Sequence, residues 1–349
     1  MSASEVIERL ADFDAVIDAR SEDEYAQDHL PGAINWPTLN NAERITIGTL
    51  YKQVNPFEAR KRGAAMAARN IAAHIERDVI DKPKEWKPLA YCWRGGQRSG
   101  SLSLILSQIG FRVTLVEGGY KAFRAALVED ISVQVARLQF KVICGPTGSG
   151  KTRLLLALAG EGEQVLDLEA LANHRSSVLG AIPGLAQPSQ KRFDTLIWEK
   201  LHSFNPTRPV FVESESKKVG NLSVPLSLMD AMRNSICLNL QLSDGERVAL
   251  LMEDYDHLVR NVDYFCDRLA VLIPLKGRGV VETWQAQARA GQFASVVLDL
   301  LTQHYDPAYL QSMQRNFAQF VTSENIAPVD RSAGAMTVLA KAMQVTLAN

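Results

Sequence analysis

One short stretch of the sequence carries the residue types of a nucleophilic site. Residues 91–101 read YCWRGGQRSGS, where Cys92 is followed by two glycines and by Arg94 and Arg98. Glycines allow a tight turn whose amides converge, and arginines add positive potential, so such a loop lowers a thiol pKa and holds an anion. The alternative is a turn with an inert, buried cysteine. The expected anion contacts are Trp93, Gly95, Gly96, Gln97 and Ser99.

The residues on either side of this loop predict a strand before it and a helix after it. The apolar run LAYCW predicts a strand that ends at Cys92. A helix is expected to begin near Leu102, capped by Ser99 or Ser101, and to end before Gly110. Its amino terminus would add positive potential beside the thiol.

The spacing from Cys92 to Arg98 leaves two chemistries open. C-x5-R is the loop formula of cysteine-dependent phosphatases, in which the arginine forks onto phosphate and the thiolate attacks phosphorus. The same cradle suits transfer of sulfur or selenium. The loop alone does not decide between phosphoryl and chalcogen transfer.

A second motif predicts a polyphosphate site. GPTGSGKT at 145–152 fits G-x4-G-K-[ST], and it lies between a predicted strand and a predicted helix. Lys151 is expected to reach the terminal phosphate as a catalytic group, and Thr152 is a possible magnesium ligand. The strand PVFVESES ends in glutamates instead of the usual aspartate, which places magnesium-nucleotide hydrolysis in doubt. The expected diphosphate contacts are Gly145, Thr147, Gly148, Ser149, Gly150, Lys151 and Thr152.

Polar residues after other predicted strands form a possible outer layer of this site. Ligands bind at the carboxyl ends of strands in an open α/β sheet, although solvated loop residues are the alternative. The candidates are Asp167, Glu169, His174, Arg175, Glu213, Glu215, Lys217 and Lys218.

Composition and periodicity place these motifs in a two-domain α/β protein. The chain has 349 residues, 46% of them hydrophobic, and a net charge of −1. Apolar runs begin at residues 15, 89, 113, 141, 165, 210 and 236, and helical spacing separates them, which indicates parallel sheets. Helical periodicity dominates after residue 245. The predicted domains are 1–130, a linker at 131–138, a P-loop α/β domain at 139–244 and a helical C-terminal extension at 245–349.

Several classes are disfavoured. The four cysteines form no C-x-x-C pair and the six histidines lack metal-binding spacing, so no transition metal is expected. The first residues, MSASEVIERL, lack a signal-peptide pattern, and no run approaches the ~20 apolar residues of a membrane span. A monomeric protein of the cytoplasm with no membrane partner is expected.

The N-terminal part resembles rhodanese domains. The segment VIDARSEDEYAQDHLPGAINWP at 16–37 is similar to their first signature, and VTLVEGGYKAF is similar to their closing segment. The resemblance implies a parallel-sheet domain whose loop cysteine carries sulfur or selenium. Asp18, Arg20 and His29 would then be structural. Arg98 lies one place later than in most rhodanese loops, which predicts a roomier pocket.

A rhodanese module followed by a P-loop module resembles the tRNA 2-selenouridine synthase family. DLEALANHRSSVLG, ESESKKVGN and HYDPAY also carry this resemblance. It implies geranylation of wobble 2-thiouridine with geranyl diphosphate, then replacement of the geranylthio group by selenium from selenophosphate, in the tRNAs for Lys, Glu and Gln. Cys92 would carry selenium as a perselenide, and the P-loop would hold the diphosphate. It implies no tightly bound cofactor, and a selenophosphate supplier is a possible partner.

Contacts with RNA have only candidate residues. EARKRGAAMAARN at 58–70 clusters basic side chains, and three aromatic residues are available for stacking, although a basic run also occurs as a solvated helix face. The candidates are Arg60, Lys61, Arg62 and Arg69, with Trp36, Trp93 and Tyr120.

Two other functions stay open at this point. One is a sulfurtransferase or cysteine-dependent phosphatase with a regulatory nucleotide-binding domain. The other is a P-loop RNA-binding module in which the rhodanese part is an inactive scaffold.

Overall fold

The computed structural model describes residues 1–175, 180, 182, 184–256 and 260–347, with side chains to residue 344. The described chain divides into two compact units. The first comprises Met1–Gln134 and Pro188–His202, and the second holds the remaining described residues.

The first unit is built on a four-stranded parallel sheet in the order β2-β1-β3-β4. Its strands are β1 Ala15–Asp18, β2 Ala33–Asn35, β3 Pro88–Tyr91 and β4 Thr114–Leu115. β3 is buried at all four positions, as expected for a central strand that is covered on both faces. The helices are α1 Ala3–Arg9, α2 Glu22–Gln27, α3 Asn41–Gln53, α4 Pro56–Asp78, α5 Gln97–Ile109 and α6 Gly119–Arg137, with a 3₁₀ turn at Leu10–Asp12.

α3 and α4 form a helical hairpin between β2 and β3. The side chain of Asn40 caps α3, and Asn55 caps α4, which has proline at its first position. Neither the hairpin nor the short β2 was predicted as an element.

The second unit is built on a five-stranded parallel sheet in the order β11-β10-β5-β7-β6. Its strands are β5 Phe140–Cys144, β6 Gln164–Leu166, β7 Val210–Glu213, β10 Ile236–Leu240 and β11 Glu324–Ile326, and β8 Lys218–Val219 with β9 Leu222–Ser223 forms an antiparallel hairpin. The helices are α7 Lys151–Gly160, α8 Leu168–Ala172, α10 Leu226–Asn234, α11 Asp244–Asp254, α12 Val262–Ala270, α13 Ile273–Lys276, α14 Arg278–Arg289, α15 Phe293–Leu300, α16 Asp306–Asn316 and α17 Ala333–Leu347, with a π-helical turn at Leu301–Tyr305.

The C-terminal extension is more than a helical appendage. β11 adds a parallel edge strand to the sheet, and Met336 and Ala340 of α17 belong to the same core cluster as Leu154 of α7. A separate cluster around buried Trp284 unites α12, α14 and α15. The sequence predicted helices alone after residue 245; β11 was missed because a three-residue strand leaves little periodic signal.

One helix belongs to the first unit although it lies between strands of the second. α9, Gln190–Ser203, follows β6 and α8 in the chain and precedes β7, yet residues 188–202 group with the first unit. The sequence placed this segment within 139–244. Among the described helices, none is both long and apolar enough to cross a membrane.

Candidate active sites

The Cys92 loop lies at the carboxyl end of β3, as predicted. The carbonyls of Cys92 and Trp93 accept hydrogen bonds from the amides of Tyr120 and Lys121, at 2.8 and 3.0 Å. These bonds hold the loop carbonyls against the first turn of α6, so the amides that follow are available to the thiol.

The helix after the loop begins earlier than predicted. α5 starts at Gln97 with Gly96 as its N-cap, and Ser99 and Ser101 both lie inside its first turns. The hydroxyl of Ser101 donates to the carbonyl of Gln97 at 2.7 Å, whereas that of Ser99 donates to Sγ of Cys92 at 3.2 Å. The predicted serine caps and the start near Leu102 were therefore wrong, because the glycine lets the chain enter the helix five residues sooner. The end before Gly110 is confirmed.

Glycine is required where the loop packs on the segment before α6. Gly95 has φ +65°, and a Cβ built there would lie 2.8 Å from the carbonyl oxygen of Val116. A Cβ on Gly119 would clash with the carbonyl of Cys92 and the amide of Gly95. The tight curl of the loop thus depends on glycines on both sides of one contact.

The surroundings of Cys92 favour its thiolate. Burial alone would raise the pKa, but hydrogen bonds from the Ser99 side chain and amide, the charge of Arg98 and the amide of Gly96 together hold the pKa of Cys92 below its ordinary value. The residue is only 3% exposed. It nevertheless lines an open pocket of about 330 Å³. Its other lining residues are Trp93, Arg94, Gly96, Gln97 and Arg98.

The two loop arginines differ in their partners. Arg98 forks onto Glu24 with distances of 2.6 and 3.2 Å, and this pairing holds the pKa of Glu24 below its ordinary value despite burial. Arg94 is exposed at the pocket. The carboxylate of Glu24 on α2 therefore binds both terminal nitrogens of the Arg98 guanidinium and partly neutralises its charge.

Residues of the first rhodanese signature pack near the Cys92 loop. Buried Arg20 pairs with Asp18 at 2.6 Å, and the Tyr91 hydroxyl donates to Asp18 at 2.8 Å. The Arg20 guanidinium also lies 3.9 Å from the ring centroid of Tyr120. His29 stacks on Tyr25 in the turn after α2. Asp18 and Arg20 thus contact the residues that flank the loop, whereas His29 contacts α2.

The phosphate loop joins β5 to α7, as predicted. Gly145, Gly148 and Gly150 all have positive φ, at 152°, 78° and 88°, which L side chains rarely adopt. Nζ of Lys151 donates to the carbonyls of Gly145 at 2.7 Å and Pro146 at 3.4 Å. The ammonium thus lies against the loop itself.

Residues of the C-terminal extension form hydrogen bonds with the backbone of the phosphate loop. The amide of Gly145 donates to the hydroxyl of Tyr309 at 2.6 Å. Arg247, 4% exposed, donates to the carbonyl of Thr147 at 2.9 and 3.0 Å and pairs with Asp306. HYDPAY at 304–309 therefore includes two supports of the loop. Spacing could not reveal Arg247 or Tyr309, because their partners lie 100 and 164 positions away.

Carboxylates lie next to the last residue of the phosphate loop. The Thr152 hydroxyl donates to Glu169 at 3.3 Å, and the Glu169 amide donates to Glu213 at 3.0 Å. Burial, then the charges of Glu215, Glu169 and Asp167, raise the pKa of Glu213 well above its ordinary value. The side chain of Asp167 caps α8. Ser149 and Glu213 each have a buried oxygen without a hydrogen-bond partner.

The other candidates are dispersed. Arg175 donates to the Asp254 carbonyl at 2.5 Å, and burial lowers the pKa of His174. Lys217 and Lys218 are exposed at the β8–β9 hairpin. Residues 176–179 of the motif at 173–180 lie outside the described residues. In the described parts of the chain, no cluster of three or more His, Cys, Asp or Glu side chains is placed to hold a metal ion.

All four basic RNA candidates are exposed on one helix, α4. Lys61 pairs with Glu58 and lies 5.1 Å from the centroid of the Phe57 ring. Trp36 and Tyr120 are buried, so neither ring is available to stack on a base. Trp93, at the pocket, is half-buried.

Comparison with known proteins finds a family match for each of the two modules. The rhodanese-like domain family matches residues 2–126, and the tRNA 2-selenouridine synthase AAA domain family matches residues 138–268. A tRNA 2-selenouridine synthase from Hydrogenovibrio crunogenus is 30% identical over 345 residues, which cover 90% of this chain and 93% of that protein. This chain belongs to the tRNA 2-selenouridine synthase family. The expected α/β fold, with a rhodanese-like domain followed by a P-loop domain, is confirmed.

Other members of the family match a shorter segment. Synthases from Nitrosomonas europaea and Alcanivorax borkumensis are 37% and 34% identical over 69% of this chain. These matches span 63% and 66% of the two relatives, less than two thirds of either. Among solved structures, the N-terminal domain of a Clostridium difficile 630 protein is 35% identical over 36% of this chain and 95% of that chain, with a TM-score of 0.31.

Proposed function

We propose that this member of the family is a tRNA 2-selenouridine synthase, which replaces the sulfur of wobble 2-thiouridine in tRNA by selenium. The observation that carries the proposal is Cys92, a thiol with a lowered pKa on an open pocket, in a chain that also has an intact phosphate loop.

The phosphate loop suits a first step with geranyl diphosphate. The sulfur of 2-thiouridine attacks the first carbon of the geranyl group, so a C–S bond forms while the C–O bond breaks. Diphosphate leaves with the electron pair, and the base loses its proton to solvent. The loop amides and Lys151 would stabilise the leaving diphosphate. Gly145, Thr147, Gly148, Ser149 and Gly150 supply that backbone.

The electron balance of the second step favours phosphoryl transfer to Cys92. Selenium in selenophosphate is already at the level of selenide, so a Cys92 perselenide would require an oxidant or the loss of phosphorus as phosphite. Attack of the Cys92 thiolate on phosphorus instead forms an S–P bond and breaks the P–Se bond, with selenide leaving. Water then cleaves the S–P bond to give phosphate. This use of Cys92 is the chemistry of the C-x5-R loop formula.

Selenide completes the exchange on the base. It attacks C2 of the geranylated base, so a C–Se bond forms and the C–S bond breaks. The selenide proton moves to the leaving geranylthiolate. Arg94 and the loop residues Trp93, Gly95, Gly96, Gln97 and Ser99 would hold the phosphate end of the donor, while Arg98, which is paired with Glu24, would add positive charge beside it.

The nature of the Cys92 intermediate has its own test. Selenophosphate labelled with ³²P in one sample and ⁷⁵Se in another is mixed with the protein, and Cys92 peptides are isolated after rapid acid-free quenching. Phosphoryl transfer predicts ³²P on Cys92 and phosphate as the product. ⁷⁵Se on Cys92 with phosphite in solution would instead show a perselenide.

A magnesium ion is compatible with the phosphate loop. Thr152 and Glu169 would hold it, since magnesium in phosphate sites is bound through one or two protein oxygens besides phosphates and waters. It would neutralise diphosphate charge. No tightly bound cofactor is proposed.

The exposed basic residues of α4 are the proposed contact with tRNA. Arg60, Lys61, Arg62 and Arg69 can neutralise phosphates of the RNA backbone. We propose the tRNAs for Lys, Glu and Gln as substrates, a monomeric protein of the cytoplasm, and a separate enzyme that supplies selenophosphate.

Omission of substrates tests the proposed reaction. Purified protein is incubated with thiolated tRNA, and the nucleosides are analysed by mass spectrometry. We expect 2-selenouridine only when geranyl diphosphate and selenophosphate are both present, and geranylated thiouridine when selenophosphate is omitted. Selenouridine formed without geranyl diphosphate would refute the first step. Unchanged thiouridine in every sample would refute the proposed function.

A further inference from the structure

The second module's sequence contributes a lysine to the neighbourhood of the Cys92 pocket. Lys191, on the first turn of α9, places Nζ 5.4 Å from the centroid of the Trp93 ring and 5.9 Å from that of Tyr120. Trp93 lines the pocket and is tilted against Tyr120, with ring centroids 5.6 Å apart. The ammonium therefore lies beside a wall of the pocket.

Lys191 is held in place by the rest of α9. The Thr195 hydroxyl donates to buried Asp28 at 3.1 Å, and Trp198 donates to Asp130 at 2.7 Å. Arg124 pairs with Asp194 and also donates to the carbonyl of Lys191 itself at 3.2 Å. These contacts hold the backbone of α9 at Lys191 within the first unit, and the ammonium itself contacts the rings of Trp93 and Tyr120.

The charge of Lys191 is not offset by the acidic residues of its own helix. Asp194 is paired with Arg124, and Glu199 with Arg192 at 3.4 Å. Arg98, in contrast, is forked onto Glu24. Among the described residues, Lys191 and exposed Arg94 are the cations near the pocket for which no carboxylate partner is found.

We propose that Lys191 is a specificity-determining residue of the Cys92 pocket, where its ammonium attracts the phosphate end of an anionic donor. The identity of that donor as selenophosphate rests on the proposed function. Residues 188–202 lie outside the rhodanese-like match at 2–126. This charge therefore comes from a segment that a rhodanese-like domain alone would not contain.

Charge selectivity of thiol alkylation tests the proposal without any natural substrate. Iodoacetate is an anion and iodoacetamide is neutral, and they alkylate a thiolate by the same displacement. Lys191→Met keeps an unbranched chain over the rings but removes the charge. We expect the iodoacetate rate at Cys92 to fall about fivefold, the scale of one unit charge at a partly solvated site, while the iodoacetamide rate changes less than twofold.

Two further variants distinguish charge from packing. Lys191→Arg should restore the iodoacetate rate, and Lys84→Met, which removes an exposed lysine elsewhere in the first unit, should leave the selectivity unchanged. Peptide mass spectrometry assigns the alkylation to Cys92. Equal loss with both reagents, failure of arginine to restore the rate, or the same change in Lys84→Met would overturn the proposal.

Donor kinetics extend the test to the proposed reaction. With selenophosphate, Lys191→Met should raise KM severalfold with little change in kcat, because the charge acts on binding. An unchanged KM would contradict the role in donor recognition. A protein that makes no 2-selenouridine but shows the iodoacetate selectivity would refute the proposed function and leave Lys191 as an anion-recognition residue.

Discussion

At the scale of single residues, the proposed chemistry depends on the lowered pKa of one buried thiol. Burial opposes the charge of Cys92, and the Ser99 side chain and amide, the Arg98 charge and the Gly96 amide outweigh it. Because the folded protein favours the thiolate, alkylation of Cys92 should increase with pH and level off at a lower pH than for an ordinary thiol.

Ser99→Ala tests this balance. The variant loses the hydroxyl that donates to Sγ, so the pKa of Cys92 should rise and the iodoacetamide rate at neutral pH should fall severalfold. The full pH-rate profile is measured. Ser101→Ala is the matched control, since Ser101 lies on the same helix but bonds to a backbone carbonyl. An unchanged profile in Ser99→Ala would show that this bond does not support the thiolate.

The sequence predicted where the Cys92 loop and the phosphate loop lie, because each motif is a short continuous segment between a strand and a helix. It did not predict the hydrogen bond from Ser99 to the thiol, since a serine before an apolar run is also typical of a helix N-cap. Tyr309 and Arg247 could not be assigned either, because their bonds to the phosphate loop are set by the packing of the C-terminal extension.

At the scale of elements, the phosphate loop depends on the ion pair between α11 and α16. Arg247 is buried and bonds to Asp306, to Asp244 and to the loop carbonyl of Thr147. Removing one partner of a buried pair leaves a charge without compensation, which costs far more than loss of an exposed pair.

Asp306→Asn and Asp244→Asn form a matched pair of variants. The Asp306 side chain is 25% exposed and that of Asp244 is 58% exposed. We expect Asp306→Asn to lower the free energy of unfolding by about 2–4 kcal/mol and Asp244→Asn by less than about 1 kcal/mol. Urea denaturation measures both. Equal effects would show that Asp306 is not the partner that stabilises Arg247.

The exposed basic face of α4 gives a prediction about RNA. Changing Arg60, Lys61 and Arg62 to Gln should lower the affinity for tRNA. It should also reduce the slope of log K against log salt concentration by about 2 to 3, since each phosphate contact releases counterions. Filter binding over a salt series measures this. Changing exposed Lys82, Lys84 and Lys87 to Gln is the control for net charge, and an equal loss there would contradict a specific contact.

Elements were predicted where apolar periodicity is strong. All seven predicted strands are present: β1, β3, β5, β7 and β10 are largely buried runs, whereas β4 and β6 are short and mostly half-buried but lie next to apolar residues in the sequence. β2, β8, β9 and β11 are only two or three residues long and leave almost no pattern. The place of α9 could not be predicted, because its amphipathic face fits a core in either unit.

At the scale of the whole molecule, the chain combines a cysteine loop and a phosphate loop, each in its own unit. The order of modules in the sequence predicted this combination, and the family match supports it. The path of the chain shows something that the order of the modules did not predict. Residues 188–202 return to the first unit before the chain completes the second sheet. The second module therefore supplies part of the first unit.

The central claim is that the two sites perform successive steps on one base. The most direct measurement is mass spectrometry of wobble nucleosides after incubation of thiolated tRNA with geranyl diphosphate, selenophosphate and each of two variants. We predict that Cys92→Ser stops at geranylated thiouridine, whereas Lys151→Ala leaves 2-thiouridine unchanged. Formation of 2-selenouridine by Cys92→Ser at the wild-type rate, or normal geranylation by Lys151→Ala, would contradict the account.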